Sequence, residues 1–163
     1  MEDSLPEPPP IRKATIFIDA DACPVKDEIY KVARRYAMPV VVVANATLWV
    51  PSDSHFSLIV RIGFGAADDY IAEVVAANDI VITADIPLAA RCVNRKAVVL
   101  DPKGRLLTDA NIGEALGMRD LMDELRQSGQ ASGGPAPMTP KDRSRFLAKV
   151  DEMVNAVRRA SKR

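Results

Sequence analysis

Carboxylates recur where predicted strands end in this chain. Asp19 directly follows the β-favouring run ATIFI, and Asp21 comes two residues later with no basic residue between them. Asp85 ends the apolar segment DIVITAD in the same way, and Asp68 and Asp69 begin a helical segment that follows another predicted strand. Ligands of an open parallel sheet bind beyond the carboxyl ends of its strands, where the strand order reverses. We therefore expect these carboxylates to lie along one edge of a sheet.

Carboxylates that converge on one edge repel one another unless something compensates their charge. Either their neighbours raise their pKa values until some are protonated, or a divalent cation neutralises them. Oxygen ligands without His or Cys favour Mg²⁺ or Mn²⁺ over Zn²⁺. Two such ions about 4 Å apart would suit phosphodiester hydrolysis, since one activates water and the other stabilises the leaving oxygen. The pattern predicts Asp19, Asp68 and Asp85 as catalytic metal ligands, with Asp21 and Asp69 as further metal ligands.

Four of these carboxylates also have a simpler interpretation, and Asp19 could be only a strand-end residue with satisfied hydrogen bonds. Asp85 is well placed to cap a helix that begins at Ile86, and capping could be its only role. Asp68 and Asp69 would stabilise a helix N-terminus through the helix dipole. Helical spacing places Asp68 on the apolar face that packs toward the sheet, so Asp68 is preferred to Asp69 as a ligand. The occurrence of carboxylates at three separate strand ends favours the metal interpretation.

The elements that would position these residues alternate along the first hundred residues. Apolar runs predict strands at 14–19, 39–45, 56–62, 79–85 and 97–101, and helical patterns fill 24–37, 67–78 and 86–94. This alternation indicates an α/β fold with a mainly parallel sheet of about five strands. Right-handed crossovers would place helices on both faces of that sheet. The expected architecture is a single-domain three-layer α/β/α sandwich.

Composition changes divide the chain into four predicted segments. They are a Pro-rich flexible arm (1–12), the α/β domain (13–127), a Gly/Pro-rich loop (128–138) and a basic C-terminal helix that packs on or extends the domain (139–163). Within the domain, Pro102 to Asn111 are expected to form a turn-rich link before a helix at 112–127.

Charge is balanced overall but not locally. Lys+Arg and Asp+Glu both number 22, so net charge does not argue for a polyanionic partner. Residues 139–163 hold eight Lys and Arg but only three carboxylates. Most of these charged side chains are expected to lie on a solvated helix face. The predicted phosphate contacts are Lys26, Lys141, Arg143 and Arg145.

Other sequence features favour a cytoplasmic protein without a membrane partner. The chain starts with an acidic, Pro-rich segment rather than the basic and apolar start of a signal peptide. It has no apolar stretch near the ~20 residues that cross a bilayer. Its two cysteines make neither a disulfide framework nor a zinc motif, and Cys23 is expected to pack as a small residue rather than act as a nucleophile.

Five ordered motifs carry a family resemblance. They are DADACPV, ADDYI, TADIPLA, GRLLTDANI and GGPAPMTPKDRSRF, and together they resemble the YaiI/YqxD family of uncharacterised bacterial proteins, from residue 15 to about residue 150. That family is assigned to the PIN-like nuclease superfamily. The resemblance therefore implies a PIN-like parallel sheet with acidic residues clustered at its carboxyl edge.

The superfamily link also concerns individual residues. The segment AADDYI is similar to the Ala-Asp-Asp of the metal-binding helix in structure-specific 5′ nucleases, and Asp19 and Asp85 match the Asp residues that follow the corresponding strands. Ala66 stands where an acidic residue often precedes that motif, and Pro87 stands where a second Asp follows. The number of metal ions therefore stays open.

Three functions follow from these patterns. The first is a Mg²⁺- or Mn²⁺-dependent nuclease that acts on RNA or on structured or single-stranded DNA, with RNA the expected partner. The second is a non-catalytic RNA-binding or regulatory protein that uses the basic C-terminal helix. The third is a haloacid-dehalogenase-like phosphatase in which Asp19 attacks phosphorus and Asp21 acts as acid and base. Metal dependence would separate them.

Overall fold

The computed structural model describes residues 13–131 and 136–161. The predicted arm at 1–12, residues 132–135 of the predicted Gly/Pro-rich loop and residues 162–163 of the predicted C-terminal helix lie outside the described residues. The strands are β1 (Ile16–Asp19), β2 (Val40–Ala44), β3 (Phe56–Val60), β4 (Ile80–Ile82), β5 (Val98–Leu100) and β6 (Leu106–Leu107). The helices are α1 (Lys26–Tyr36), α2 (Ala66–Val74), α3 (Ile86–Asn94), α4 (Ile112–Gln127) and α5 (Pro140–Ser161).

All the strands of the described chain belong to one sheet, in the order β3-β2-β1-β4-β5-β6. Strands β1 to β5 are parallel, and β6 pairs antiparallel with β5. The predicted single-domain α/β fold with a mainly parallel sheet is confirmed, and the arrangement is consistent with a PIN-like sandwich. The chain runs outward from β1 to β3 on one side and then crosses back to β4 on the other.

Strand β6 is an addition to the predicted sheet. It lies inside the segment that was expected to be only a turn-rich link. Its two residues are too few to show the alternation of apolar and polar residues that identifies a strand. A tight turn produces it: Asp101 Oδ1 accepts hydrogen bonds from the backbone N–H groups of Lys103 and Arg105, both at 2.9 Å. Gly104 adopts a φ of +87° in that turn, a conformation that favours glycine.

Helices cover both faces of the sheet because the central strands are apolar on both faces. Ile16 and Ile18 of β1 face the layer of α1 and α5, whereas Phe17 between them faces the layer that contains α2 and α3. This alternation is the period of two that a strand imposes. Among the described residues, none of the helices combines the length and the hydrophobicity that a membrane span needs.

Helix α5 packs against α1 through a stripe of fully buried side chains. The stripe consists of Phe146, Val150, Val154 and Val157, at the three- and four-residue spacing of one helical face. The helix starts with a reciprocal cap, since Thr139 Oγ1 accepts from the Asp142 N–H at 3.0 Å and Asp142 Oδ2 accepts from the Thr139 N–H at 3.1 Å.

Replacing Phe146 with alanine tests whether α5 is part of the folded unit. Phe146→Ala leaves a cavity between α5 and the sheet, so the free energy of unfolding should fall by about 3–5 kcal/mol in urea denaturation. Leu121→Ala, at a half-exposed position of α4, is the control and should change stability by less than about 0.5 kcal/mol. A Phe146→Ala variant as stable as the wild type would show that α5 does not contribute to the core.

Candidate functional site

The carboxyl ends of β1 and β4 lie side by side at the point where the strand order reverses. The two strands pair in parallel, with Ile18 opposite Ile82, and the chain leaves them in opposite directions along the sheet. Such a switch point opens a crevice between the loops that follow the two strands. Asp19 ends β1, and Thr83 and Asp85 follow β4.

Asp19 is buried in this crevice and is held by Thr83. Its Oδ2 accepts a hydrogen bond from Thr83 Oγ1 at 2.8 Å. Burial raises the pKa of Asp19, and the hydrogen bond from Thr83 opposes that rise without cancelling it. The negative charges of Asp21 and Asp85 raise this pKa further, whereas the charge of Lys26 lowers it.

Asp68 faces the same crevice from the first turn of α2. Burial is the largest cause that raises the pKa of Asp68 to about 6, followed by repulsion from Asp19 and Asp85, a contact with the Asp85 carboxyl and repulsion from Asp21. Four of the five predicted metal ligands therefore lie along this edge of the sheet, near enough for their charges to influence one another. We call this set, Asp19, Asp21, Asp68 and Asp85, the carboxylate rim.

Asp85 performs the simpler role considered for it, and it is also a member of the rim. Its Oδ1 accepts a hydrogen bond from the Leu88 N–H at 3.0 Å, which caps α3. Its own N–H donates to Thr83 Oγ1 at 3.0 Å. Thr83 therefore links the Asp19 carboxylate to the backbone of Asp85 through one hydroxyl group.

Asp69, the fifth predicted ligand, is engaged elsewhere. Its Oδ1 lies 2.8 Å from Nη1 of Arg91 in α3, and its side chain is mostly exposed. Adjacent residues of a helix point about 100° apart, so Asp68 and Asp69 cannot face the same crevice equally. This pairing supports the preference for Asp68.

The predicted phosphate-binding residues are not equivalent in the structure. Lys26 lies beside the rim, where its Nζ donates to the backbone oxygen of Cys23 at 2.9 Å. Arg143 instead joins α5 to α1, because its Nη1 donates to the Pro24 oxygen at 2.8 Å and lies 3.2 Å from Glu28 Oε1. Arg145 lies 3.8 Å from Asp142, and Lys141 is exposed.

A polar cavity of about 230 Å³ adjoins the rim. Asp21 and Asp68 line one part of it, and Asn45 and Phe64 line another. The sequence interpretation missed Asn45, Phe64 and Thr83. Asn45 follows β2 as directly as the predicted ligands follow their strands, so the same strand-end rule would have found it.

The rim is not a preformed metal site. Within residues 13–131 and 136–161, no three His, Cys, Asp or Glu side chains are close enough together to hold an ion. The donors are nevertheless hard oxygens, which suits Mg²⁺ or Mn²⁺, and Mg²⁺ is commonly bound by one or two carboxylates with water and substrate phosphates. The donor chemistry therefore fits such an ion, with substrate or water completing its ligands.

Neither cysteine is activated as a nucleophile. Burial raises the pKa of Cys23 to about 11 and that of Cys92 to about 12. Both thiols are therefore protonated at neutral pH, as expected of packing residues.

Comparison with known proteins identifies relatives along nearly the whole chain. A family model described as "Uncharacterized BCR, YaiI/YqxD family" matches residues 17–156. A UPF0178 protein of Rhodopseudomonas palustris (strain BisB5) is 53% identical over 161 residues, which cover 95% of this chain and 94% of the relative. A UPF0178 protein of Azorhizobium caulinodans is 51% identical, over 90% of this chain and 92% of the relative. No solved structure matches the chain significantly.

Removing the Asp68 charge should stabilise the protein at neutral pH. The native pKa of about 6 exceeds the ordinary value of 3.8, so the folded state binds more protons between these values and its stability falls as pH rises across them. Solvent screening of this partly exposed group leaves about 1 kcal/mol of the effect. In chelator at pH 7.5, Asp68→Asn should therefore raise Tm by about 2–4 °C.

The same pair of proteins provides the control at low pH. At pH 3.5 the native form of Asp68 is protonated and the unfolded form is mostly protonated, so wild type and Asp68→Asn should melt at nearly the same temperature. A stabilisation of equal size at both pH values would show that repulsion within the carboxylate rim is not its cause.

Proposed function

We propose that this chain, which belongs to the YaiI/YqxD family of uncharacterised proteins, is a divalent-metal-dependent nuclease whose hydrolytic site is the carboxylate rim. The observation that supports it most directly is the convergence of four carboxylates at the switch point of a parallel sheet. Burial raises the pKa values of Asp19 and Asp68, and repulsion from neighbouring carboxylates raises them further. A divalent cation would relieve that repulsion. RNA or single-stranded or structured DNA supplies the phosphodiester.

Asp19, Asp68 and Asp85 are the proposed metal ligands, and Asp21 is a supporting ligand. Mg²⁺ or Mn²⁺ bound there would supply a Lewis acid that activates water and neutralises the charge on the leaving oxygen. Thr83 fixes the orientation of the Asp19 carboxylate through its hydroxyl group. The helix cap holds Asp85 through Oδ1, which accepts the hydrogen bond from the Leu88 N–H.

Lys26 is the proposed phosphate contact beside the rim. Its ammonium group is near enough to lower the pKa of Asp19, and the Cys23 oxygen holds it there. An ammonium group has three donors, so Lys26 can keep this hydrogen bond while it binds a phosphate oxygen. Its positive charge would draw the substrate backbone toward the carboxylates.

The two alternative functions receive less support from the described residues. A non-catalytic RNA-binding protein would rely on the basic C-terminal helix, but Arg143 there is committed to Glu28 and Pro24. A phosphatase would use Asp19 as the nucleophile and Asp21 as acid and base, and no contact among the described residues favours that division of roles over metal binding. Neither observation favours a second function over the nuclease.

Metal titration is the first test of the proposal. Calorimetry with Mn²⁺ and Mg²⁺ should show saturable binding to the wild type and none to the double variant Asp19→Asn/Asp85→Asn. Asparagine caps helices as well as aspartate does, so this variant removes charge while it keeps the cap of α3. Asp68→Asn should weaken binding, whereas Asp69→Asn, its neighbour in the same turn, should not.

Cleavage of labelled single-stranded RNA and DNA in Mn²⁺ is the matching activity measurement. Hydrolysis should stop in chelator. In Asp19→Asn the rate should fall by more than the about 10- to 100-fold that is typical when a residue that only hydrogen-bonds to a metal ligand is replaced. Equal losses in Asp68→Asn and Asp69→Asn would point to damage of α2 rather than loss of a ligand. Absence of metal-dependent hydrolysis of single-stranded and structured substrates would reject the nuclease proposal.

Thr83 is predicted to be a positioning residue for Asp19. Thr83→Val keeps the side-chain shape but removes the hydroxyl group, so Mn²⁺ affinity should fall by about 10- to 100-fold. Thr83→Ser restores the hydroxyl group and should restore the affinity. If Thr83→Val loses affinity and Thr83→Ser fails to recover it, the methyl packing of Thr83 rather than its hydrogen bond is responsible.

A further inference from the structure

The loop between β3 and α2 exposes large apolar side chains beside the carboxylate rim. Phe64 is fully exposed, and Ile62 on the same loop is 85% exposed. Isolated exposed apolar residues are ordinary on protein surfaces. Here, however, the two side chains lie two residues apart on one short loop, and Phe64 lines the same cavity as Asp21 and Asp68.

Two glycines shape the backbone on either side of Phe64. Gly63 has a φ of +117° and Gly65 a φ of +70°, both conformations that other residues rarely adopt. A Cβ atom at Gly65 would meet nothing within 4 Å, so the backbone angle rather than close packing calls for glycine there. Ala66 N–H donates to the Gly63 oxygen at 3.2 Å, which closes the turn. A hydrogen-bonded turn therefore carries Phe64, and the fold leaves its side chain exposed.

The cavity has the composition of a nucleotide site. Phe64 provides an aromatic face at its border, and Asn45 provides an amide group that can both donate and accept hydrogen bonds. Asp21 and Asp68 connect the cavity to the carboxylate rim. A nucleotide whose phosphate lies at the rim would therefore have a base within reach of Phe64.

Arg61 adds positive charge at the start of the same loop. Its guanidinium group lies 4.7 Å from the centre of the Tyr70 ring and donates to the Val60 oxygen at 3.1 Å. In the part of the chain that the structure describes, no carboxylate forms an ion pair with it. An exposed arginine in this position is suited to bind a backbone phosphate next to the base.

We propose that Phe64 stacks on an unpaired base and that the substrate is single-stranded nucleic acid. This inference rests on the proposed nuclease function, since it assumes that a phosphodiester occupies the carboxylate rim. Every base presents an aromatic face, so stacking of this kind tolerates many sequences. A base inside a duplex is already stacked and paired, and it would have to be flipped out at a cost in free energy to reach Phe64.

Binding without cleavage tests the stacking contact. Fluorescence anisotropy of a labelled oligouridine is measured with Ca²⁺ in place of Mg²⁺ or Mn²⁺, for full-length wild type and variants. Phe64→Ala should weaken binding between about 5-fold and about 150-fold, the range for loss of one stacked base. Phe64→Trp should retain the affinity, and Leu121→Ala, an exposed apolar residue on α4, should be unchanged. The same oligouridine annealed to its complementary strand should bind more weakly, and Phe64→Ala should not change that affinity.

Tryptophan fluorescence reports on the stacking itself. The chain has one tryptophan, Trp49, so Trp49→Phe/Phe64→Trp places the single indole at the proposed stacking position. The oligouridine should quench the emission of this variant through contact with the base. Emission that stays constant while the oligomer binds would overturn the proposal.

The outcomes separate this inference from the nuclease proposal. Phe64-independent affinity, equal losses for single strand and duplex, or no binding of single strands by the wild type would each overturn the stacking proposal. If Phe64→Ala keeps both its metal-dependent cleavage and its affinity for the oligouridine, the nuclease proposal is supported and the stacking proposal is rejected. Phe64-dependent binding without any metal-dependent hydrolysis would keep the stacking contact and reject the nuclease.

Discussion

Repulsion among buried and partly buried carboxylates is the constraint on which the site depends. Asp19 ends a strand that is covered on both faces, so water cannot stabilise its charge fully. Asp21, Asp68 and Asp85 add charge of the same sign. Two groups partly stabilise the charge of Asp19: the hydroxyl group of Thr83 and the nearby ammonium group of Lys26. That compensation is incomplete, so the pKa of Asp19 stays raised.

The rest of the fold holds these charges in place against their repulsion. Strands β1 and β4 lie at the centre of the sheet, where pairing on both sides restrains their ends. The hydrophobic layers on the two faces supply the stability that offsets the electrostatic cost. Arg143 contributes here as well, because it joins α5 to α1 at the start of the helix that follows Asp19. A basic residue that resembles a phosphate ligand in the sequence thus has a structural partner.

The surroundings of the rim differ in chemical character. On the side of β3 lie an exposed aromatic ring, an amide and an arginine, whereas the buried side offers hydrogen bonds that orient the carboxylates. This division is typical of a site where binding groups lie on loops and the reactive groups lie on a rigid sheet edge.

Local patterns in the sequence were sufficient for most of the architecture. Apolar runs marked β1 to β5, helical spacing marked the helices, and the rule that parallel strands share an edge placed four carboxylates together. Other features needed the tertiary structure, because each depends on residues that are distant along the chain. Asp69 pairs with Arg91 and Thr83 binds Asp19 only because the folded helices and strands bring them within 3 Å. The exposure of Phe64 likewise depends on what the fold leaves uncovered, which no local pattern encodes.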